Sequence, residues 1–117
     1  AHQQIPEMTV VGHNTATIRE SLLEKAFELG EKFITASKEH YDPGVIGPFC
    51  LQTCIDKDMD YYIYDVAPRL GGGTNVHVNV GHPYGNATWR KPMSSGRRIA
   101  MEIRKAVEQD RLDEVLT

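Results

Sequence analysis

Gln52 and Asp65 are the two residues whose types and spacing best suit metal chemistry. They lie on two predicted strands, and a turn centred between Asp58 and Met59 would place them directly opposite each other. Cross-strand neighbours are about 4.5–5.5 Å apart at Cβ. A carboxylate and an amide oxygen suit Mg²⁺, which takes its other ligands from water and phosphates. The alternative is a solvated aspartate on an exposed strand, and a one-residue slip in register would separate the pair.

A glycine-rich segment after the second strand could bind an anion. Residues 69–75 read Arg-Leu-Gly-Gly-Gly-Thr-Asn. Consecutive glycines let backbone N–H groups approach an anion closely, and the guanidinium of Arg69 could meet a phosphate. The spacing matches neither the P-loop nor the dinucleotide fingerprint, and the alternative is a flexible turn. The candidate anion-binding residues are Arg69, Gly72, Gly73, Thr74 and Asn75.

The start of the last predicted helix is another candidate anion site. Residues 94–98 read Ser-Ser-Gly-Arg-Arg, with Ser94 or Ser95 as the predicted cap. Helix N-termini attract anions, and two arginines would strengthen that attraction. The alternative is a simple cap with a solvated basic face.

These residues must be positioned by an α+β fold with a mainly antiparallel sheet and flanking helices. Apolar residues at helical spacing predict a helix over residues 18–39, with Thr17 and Glu20 in capping-box spacing. Apolar and β-branched runs predict strands. The other predicted elements are a strand over 8–11, hairpin strands over 46–55 and 61–67, an irregular segment over 68–92, a helix after residue 94 or 95 whose buried stripe is Ile99, Ile103, Ala106 and Val107, and a last turn within 112–116.

Composition bounds the class of protein. The 117 residues carry a net charge of −3, with 40% hydrophobic and 25% charged residues, which is typical of one globular domain. A broad nucleic-acid surface is not expected at this charge, and no apolar run is long enough for a membrane span. Cys50 and Cys54 are too few for a disulfide-stapled secreted domain and lack zinc-knuckle spacing. We therefore expect reduced, buried thiols, no nucleic-acid or membrane partner, and an intracellular protein.

Five blocks of the sequence, in a fixed order, carry a family resemblance. They are RESLL (19–23), IGPFCLQ (46–52), GGTN (72–75), GHPY (81–84) and MSSGRRIA (93–100). Together they resemble the C-terminal domain of archaeal formate-dependent phosphoribosylaminoimidazolecarboxamide (AICAR) ligases, the FAICAR synthetases of the ATP-grasp superfamily. The resemblance runs from about residue 10 to residue 117.

The resemblance implies an ATP-dependent ligase of purine (IMP) biosynthesis with the C-terminal part of an ATP-grasp fold. Such an enzyme activates formate with ATP and Mg²⁺ or Mn²⁺ as an acyl phosphate, which the amine of AICAR attacks to give FAICAR. Gln52 and Asp65 fall on the family's metal-ligand positions, and Arg69 matches a catalytic arginine near the phosphates. The implied nucleotide-binding residues are Arg69, Gly72, Gly73, Thr74 and Asn75.

The resemblance also implies partners outside these residues. ATP-grasp catalysis needs a substrate domain and a lysine-bearing segment that grips the nucleotide, and 117 residues cannot hold both. We therefore expect the chain to be a fragment, inactive alone, of a longer cytoplasmic enzyme that forms a homo-oligomer.

Three positions depart from the family pattern. Asp65 stands where the family usually has Glu, and Ala67 stands where ATP-grasp enzymes place Asn. His13, after Gly12, stands where the family tends to have an Asn that contacts substrate, so His13 is the predicted substrate-binding residue. Two alternatives follow: a paralogous ligase with a different carboxylate or amine, and a non-catalytic nucleotide-binding or assembly module.

Overall fold

The structure, a computed structural model, describes residues 9–116 and contains there three α-helices and one two-stranded antiparallel sheet. The predicted α+β class and the antiparallel pairing are confirmed. The elements are α1 (Glu20–His40), β1 (Cys50–Ile55), β2 (Tyr61–Ala67), α2 (Pro83–Trp89) and α3 (Ser95–Glu108), with 3₁₀ turns at Gly72–Val76 and Leu112–Glu114.

Helix α1 begins two residues later than predicted and ends one residue later. Its N-cap is Arg19, whose side chain makes no capping hydrogen bond, so the predicted capping box of Thr17 and Glu20 is wrong. Glu20 is the first helical residue, where it instead places a negative charge beside the positive end of the helix dipole. Met8 of the predicted strand 8–11 lies outside the described residues, and residues 9–11 form no strand.

The turn of the hairpin is held by the carboxylate of Asp56. The backbone N–H groups of Asp58 and Asp60 donate to Asp56 Oδ1 at 2.9 and 3.0 Å, and Asp56 N–H donates to Asp60 O at 3.1 Å. Met59 completes the turn with φ of 64°. The N–H of Asp60 is the main cause that lowers the pKa of Asp56 below its ordinary value of 3.8. A hydrogen bond to Asp56 raises the pKa of Tyr62 above 10.0.

Helix α1 contacts the hairpin near both of its ends. Near the start of α1, the hydroxyl of Tyr61 donates to the carbonyl of Leu22 at 3.2 Å. Farther along, the ring of Phe33 lies 5.0 Å from the ring of Phe49, the residue before β1. Gln52 and Asp65 pair on the face of the hairpin opposite to these two contacts.

The prediction that residues 68–92 are irregular is wrong, because this segment contains helix α2. His82 caps α2 by accepting the N–H of Gly85 on its ring Nδ1 at 3.2 Å. Pro83 occupies the first turn, where its missing N–H costs no hydrogen bond. Arg90 ends the helix in the left-handed conformation, with φ of 52°.

The side chain of Asn86 fixes α2 to the segments on either side of it. Its amide nitrogen donates to Val80 O at 3.0 Å, and its amide oxygen accepts the N–H of Met93 at 2.9 Å. Gly81, with φ of 76°, packs against Asn86 and Met93 so closely that a Cβ there would lie 2.4 Å from each. A glycine is therefore required at position 81.

The apolar core of the described residues is small. Within residues 9–116, the buried apolar side chains are Leu22, Ala67, Met93 and Ala106. The predicted burial of both thiols is wrong, since Cys50 is half-buried and Cys54 is exposed. The predicted buried stripe of α3 is largely wrong: Ala106 is buried, but the other three residues of that stripe are 40–55% exposed. The radius of gyration is 17.1 Å, against about 13 Å expected for a compact domain of this length. No helix within residues 9–116 has the length and apolar character needed to cross a membrane.

Candidate functional site

Gln52 and Asp65 are direct cross-strand partners in the hairpin. The amide nitrogen of Gln52 donates to Asp65 Oδ2 at 2.7 Å. The side chain of Asp65 is exposed and that of Gln52 is half-buried. The pairing predicted from the sequence is therefore present, and the two side chains are close enough to share one ligand.

A β-bulge brings this pair into register. At the turn end, Ile55 pairs with Tyr61 and Thr53 with Ile63, which is one residue out of step with the predicted register. The register shifts between Thr53 and Gln52, and Tyr64 is the extra residue on β2. The turn is therefore centred on Asp58, half a residue earlier than predicted. The extra residue of the bulge compensates for this difference, so Gln52 still pairs with Asp65 as predicted.

The glycine-rich turn lies on the same face as the pair. Cys50 and Gln52 are two residues apart on β1, so their side chains point to one side. A Cβ added to Gly71 would lie 2.6 Å from Cys50 Sγ and 3.0 Å from Cys50 Cβ. The chain at Gly71 therefore folds directly onto Cys50, and only a glycine permits this approach.

His13 lies over the glycine turn. Its imidazole Cε1 is 3.4 Å from the position of a Cβ on Gly72, and its Cδ2 is 3.5 Å from that of a Cβ on Gly73. The predicted substrate residue thus lies beside two predicted nucleotide-binding residues. Sequence spacing gave no indication of this, because His13 and the glycines are separated by α1 and the whole hairpin.

The glycine turn offers fewer free donors than the sequence suggested. The N–H of Thr74 donates to Gly71 O at 3.0 Å and is engaged. Within residues 9–116, no protein acceptor is bonded to the N–H of Gly72 or Gly73. Arg69 is exposed, and its guanidinium donates to the adjacent Leu70 carbonyl at 2.7 Å. Two amides and one guanidinium are therefore the donors that an anion could recruit here.

The chemistry of Gln52 and Asp65 fits a hard divalent cation. Both side chains carry oxygen donors of the kind that Mg²⁺ prefers. In the part of the chain that the structure describes, no three side chains of the His, Cys, Asp and Glu types converge as metal ligands. A cation at this pair would therefore need additional ligands from water or phosphate oxygens, which is the usual situation for Mg²⁺ in nucleotide-binding enzymes.

A cleft of about 980 Å³ opens beside the glycine turn. Gly73 and Thr74 line one side, and α2 and α3 line the other with Trp89 and Arg98. The guanidinium of Arg98 lies 5.2 Å from the ring centre of Trp89 and donates to Glu102 at 2.7 Å. The volume is at the upper end of the usual range for small-molecule sites, about 300–1,000 Å³.

The N-terminus of α3 borders this cleft, but its donors are largely in use. Ser94 caps the helix, accepting the N–H of Arg97 at 3.2 Å. The N–H of Ser95 donates to Val78 O at 3.1 Å. Arg98 is held by Trp89 and Glu102, so an anion here would have to displace existing contacts.

One protein family matches the whole chain. A family described as Domain of unknown function (DUF1297) matches residues 1–117. The chain belongs to this family.

Relatives of this DUF1297 chain confirm the resemblance drawn from its sequence blocks. A protein of Saccharolobus solfataricus is 46% identical, one of Sulfurisphaera tokodaii 44% and one of Methanobrevibacter smithii 40%, each over 112 residues. All three are named 5-formaminoimidazole-4-carboxamide-1-(beta)-D-ribofuranosyl 5'-monophosphate synthetase. The match covers 96% of this chain but only 31–33% of each relative. The chain spans about a third of their length.

Several residues that shape the candidate site were not predicted from the sequence. Asn86 and Gly81 hold α2 in place, and Trp89 contributes the wall of the cleft. The signals available were weak: Trp89 is the single tryptophan of the chain, and Pro83 after His82 has the pattern of a helix start. A helix of seven residues containing a glycine shows too little periodicity to be recognised.

Proposed function

We propose that this chain is the C-terminal part of an ATP-grasp ligase that formylates AICAR to FAICAR with formate and ATP. The observation that carries the proposal is 40–46% identity over 96% of the chain with synthetases named for that product. The cross-strand pair of Gln52 and Asp65 supports it independently, because phosphoryl transfer from ATP requires a held divalent cation.

Asp65 and Gln52 would hold Mg²⁺ or Mn²⁺ in this proposal. When bound, the cation offsets negative charge on the phosphoryl group during transfer. Asp65 supplies a carboxylate oxygen, and Gln52 must turn its amide so that Oε1 faces the cation in place of Nε2, which now donates to Asp65. The 2.7 Å hydrogen bond holds the two side chains together, so both oxygen donors would be close to one cation.

Arg69 and the glycine turn would orient the anionic groups. The N–H groups of Gly72 and Gly73, which have no protein acceptor within residues 9–116, would be the backbone donors, and Thr74 and Asn75 would add side-chain donors. Arg69 is exposed and needs only to exchange the Leu70 carbonyl for a phosphate oxygen, with which a guanidinium forms a stronger, charge-assisted bond. His13, seated over Gly72 and Gly73, would contact the ribonucleotide that accepts the formyl group.

The proposal is tested on the full-length gene product by following ADP release. ATP, Mg²⁺, formate and AICAR are supplied together and with each omitted in turn. We expect release to require all four, and Asp65→Ala to lower it by about 100-fold or more, the scale on which one charge-stabilising group contributes. Asp65→Asn tests the charge at constant shape. Asp113→Ala, which removes an exposed acid after α3, is the matched control and should keep activity.

The other outcomes discriminate the alternatives. Release with another carboxylate or ribonucleotide amine, but not with formate and AICAR, would identify a paralogous ligase with a different substrate. ATP binding without ADP release for any acceptor would favour a non-catalytic module. Full activity of Asp65→Ala would remove the metal role from this residue while leaving the substrate assignment open to the same assay.

A further inference from the structure

The sulfur of Cys50 lies between the end of the hairpin and the glycine turn. Cys50 is half-buried, and Ala67, its partner on β2, is buried. After Ala67 the chain returns to Cys50 so closely that a Cβ on Gly71 would lie 2.6 Å from Cys50 Sγ. The chain therefore enters the glycine turn with its backbone packed on this sulfur.

Within residues 9–116, no hydrogen bond holds the glycine turn to the hairpin. The N–H of Thr74 donates to Gly71 O at 3.0 Å and that of His77 to Thr74 O at 2.9 Å, and both bonds stay within the turn or at its end. The guanidinium of Arg69 donates to the adjacent Leu70 carbonyl. The position of the turn relative to the hairpin therefore depends on packing, and Cys50 supplies that contact from the hairpin side.

The strand that supports the turn also carries one half of the metal pair. Gln52 is two residues from Cys50 on β1, so both side chains point to one face and lie about 7 Å apart along the strand. Gln52 in turn donates to Asp65 at 2.7 Å. The distance from the pair to the amides of the glycine turn is therefore set by a short piece of strand and one packed sulfur.

We propose that Cys50 is a positioning residue, which holds the glycine turn at the distance from Gln52 and Asp65 at which one polyphosphate contacts both a cation and the turn. It acts by its size, through Gly71, and not by thiol chemistry. The inference rests on the proposed function, since the pair is taken to hold Mg²⁺ and the turn to hold phosphate oxygens of ATP. It adds the residue that joins these two halves of the site.

A cation and a phosphate that are held at a fixed distance strengthen each other's binding. Mg²⁺ at the pair attracts the phosphates that the turn holds, so the two binding events are coupled. A larger side chain at position 50 would push Gly71 away from the strand, and a smaller one would leave the turn unsupported. Both changes should therefore reduce the effect of Mg²⁺ on the affinity for ATP.

Calorimetric titration of the full-length protein with ATP tests the proposal, with and without Mg²⁺ and in the absence of formate and AICAR. The factor by which Mg²⁺ tightens ATP binding measures the coupling. We expect Cys50→Val and Cys50→Ala each to lower this factor by about tenfold, within the usual range of coupling between two sites. Cys50→Ser, which is close to cysteine in size, should keep most of it. A role in stability alone would lower the melting temperature and leave the factor unchanged.

Cys54→Val is the matched control. Cys54 is exposed and lies on the same face of β1, two residues beyond Gln52, so the same substitution there should keep the coupling factor. An unchanged factor in Cys50→Val and Cys50→Ala would overturn the proposal, and so would an equal loss in Cys54→Val. If Cys50→Val shows no cooperative melting transition, Cys50→Ala decides alone.

The titration also separates this inference from the proposed function. An unchanged coupling factor in the Cys50 variants of a protein that formylates AICAR would reject the positioning role alone. Loss of coupling in those variants, in a protein that binds ATP but releases no ADP with formate and AICAR, would support the positioning role and reject the ligase. Absence of ATP binding by the unaltered protein would reject both.

Discussion

The amide nitrogen of Gln52 donates to Asp65 Oδ2 across the hairpin at 2.7 Å. A carboxylate and a neutral amide thus occupy adjacent positions where two carboxylates would repel each other. The amide donor satisfies one oxygen of the aspartate. In the proposed metal site, the amide would offer its oxygen to the cation, and the charge at position 52 would set how strongly the pair depends on that cation.

In the proposed metal site, Gln52→Glu should lower the Mg²⁺ concentration that the full-length protein needs for ADP release. A second carboxylate raises the charge of the ligand set, which strengthens cation binding. We expect half-maximal ADP release at about tenfold lower Mg²⁺, and a lower melting temperature when Mg²⁺ is removed by chelation, because the two acids then repel. Gln109→Glu adds the same charge at the exposed end of α3. Equal shifts in both variants would contradict a metal role for Gln52.

Gly71→Ala should destabilise the protein because the glycine turn touches β1. The added Cβ would meet Cys50 Sγ at 2.6 Å, and overpacking of this kind costs about 1–3 kcal/mol. Denaturant unfolding of the full-length protein measures the change. Gly96→Ala is the control, since a Cβ at Gly96 meets nothing within 4 Å and lies in helix α3. It should raise the free energy of unfolding by about 0.5 kcal/mol.

Removing the sulfur of Cys50 should relieve part of that strain. In the double variant Cys50→Ala with Gly71→Ala, the remaining short distance is that to Cys50 Cβ, at 3.0 Å. The cost of Gly71→Ala should be smaller in this background, with a coupling energy of about 0.5 kcal/mol or more. Additive effects of the two substitutions would place the cause elsewhere than in this contact.

Arg90→Gly should stabilise the end of α2. Arg90 has φ of 52° in the left-handed region, which costs a residue with a side chain about 1–2 kcal/mol and costs glycine almost nothing. Part of that gain is offset because glycine is freer in the unfolded chain, so we expect a net gain of about 0.5–1 kcal/mol in unfolding free energy. Lys91→Gly, at the next exposed position with an ordinary φ, should have the opposite sign.

Acid should weaken the hairpin turn through Asp56. The N–H of Asp60 holds the pKa of Asp56 below its ordinary value of 3.8, so the folded state favours the ionised form. The resulting stability is present above pH 3.8 and is lost as the pH falls through the lower pKa of the folded state. Asp56→Asn should remove this part of the acid dependence of the melting temperature. An unchanged pH profile below 3.8 would contradict the role of the turn.

The elements that sequence reasoning identified correctly are those with long periodic patterns. The twenty-one residues of α1 and both hairpin strands were located within a few positions, because repeated apolar spacing is a strong signal. The first hairpin strand was predicted to begin at residue 46 and begins at Cys50, since the Gly47 in between adopts a positive φ of 85° that no regular strand allows.

The sequence predicted candidate residues for the site but few of the contacts between them. Gln52 and Asp65 could be paired because hairpin geometry is regular. The approach of His13 to Gly72 joins segments that no local pattern connects, and the packing of Gly71 on Cys50 depends on the fold of the turn. The predicted burial of Ile99, Ile103 and Val107 on α3 was wrong for a different physical reason. These residues recur at helical spacing, but the other described residues provide little apolar surface to pack against them.

The bulge at Tyr64 has a consequence for protein engineering. The bulge offsets the turn end of the hairpin by one residue from the end that carries Gln52 and Asp65, so a segment borrowed from a homologue that replaces position 64 fits only if it carries the same extra residue. Chimaeras should therefore cross over between Tyr64 and the loop, so that the bulge of this chain is kept. Deletion of Tyr64 should remove the bulge and bring the strand pairs on both sides of it into one register.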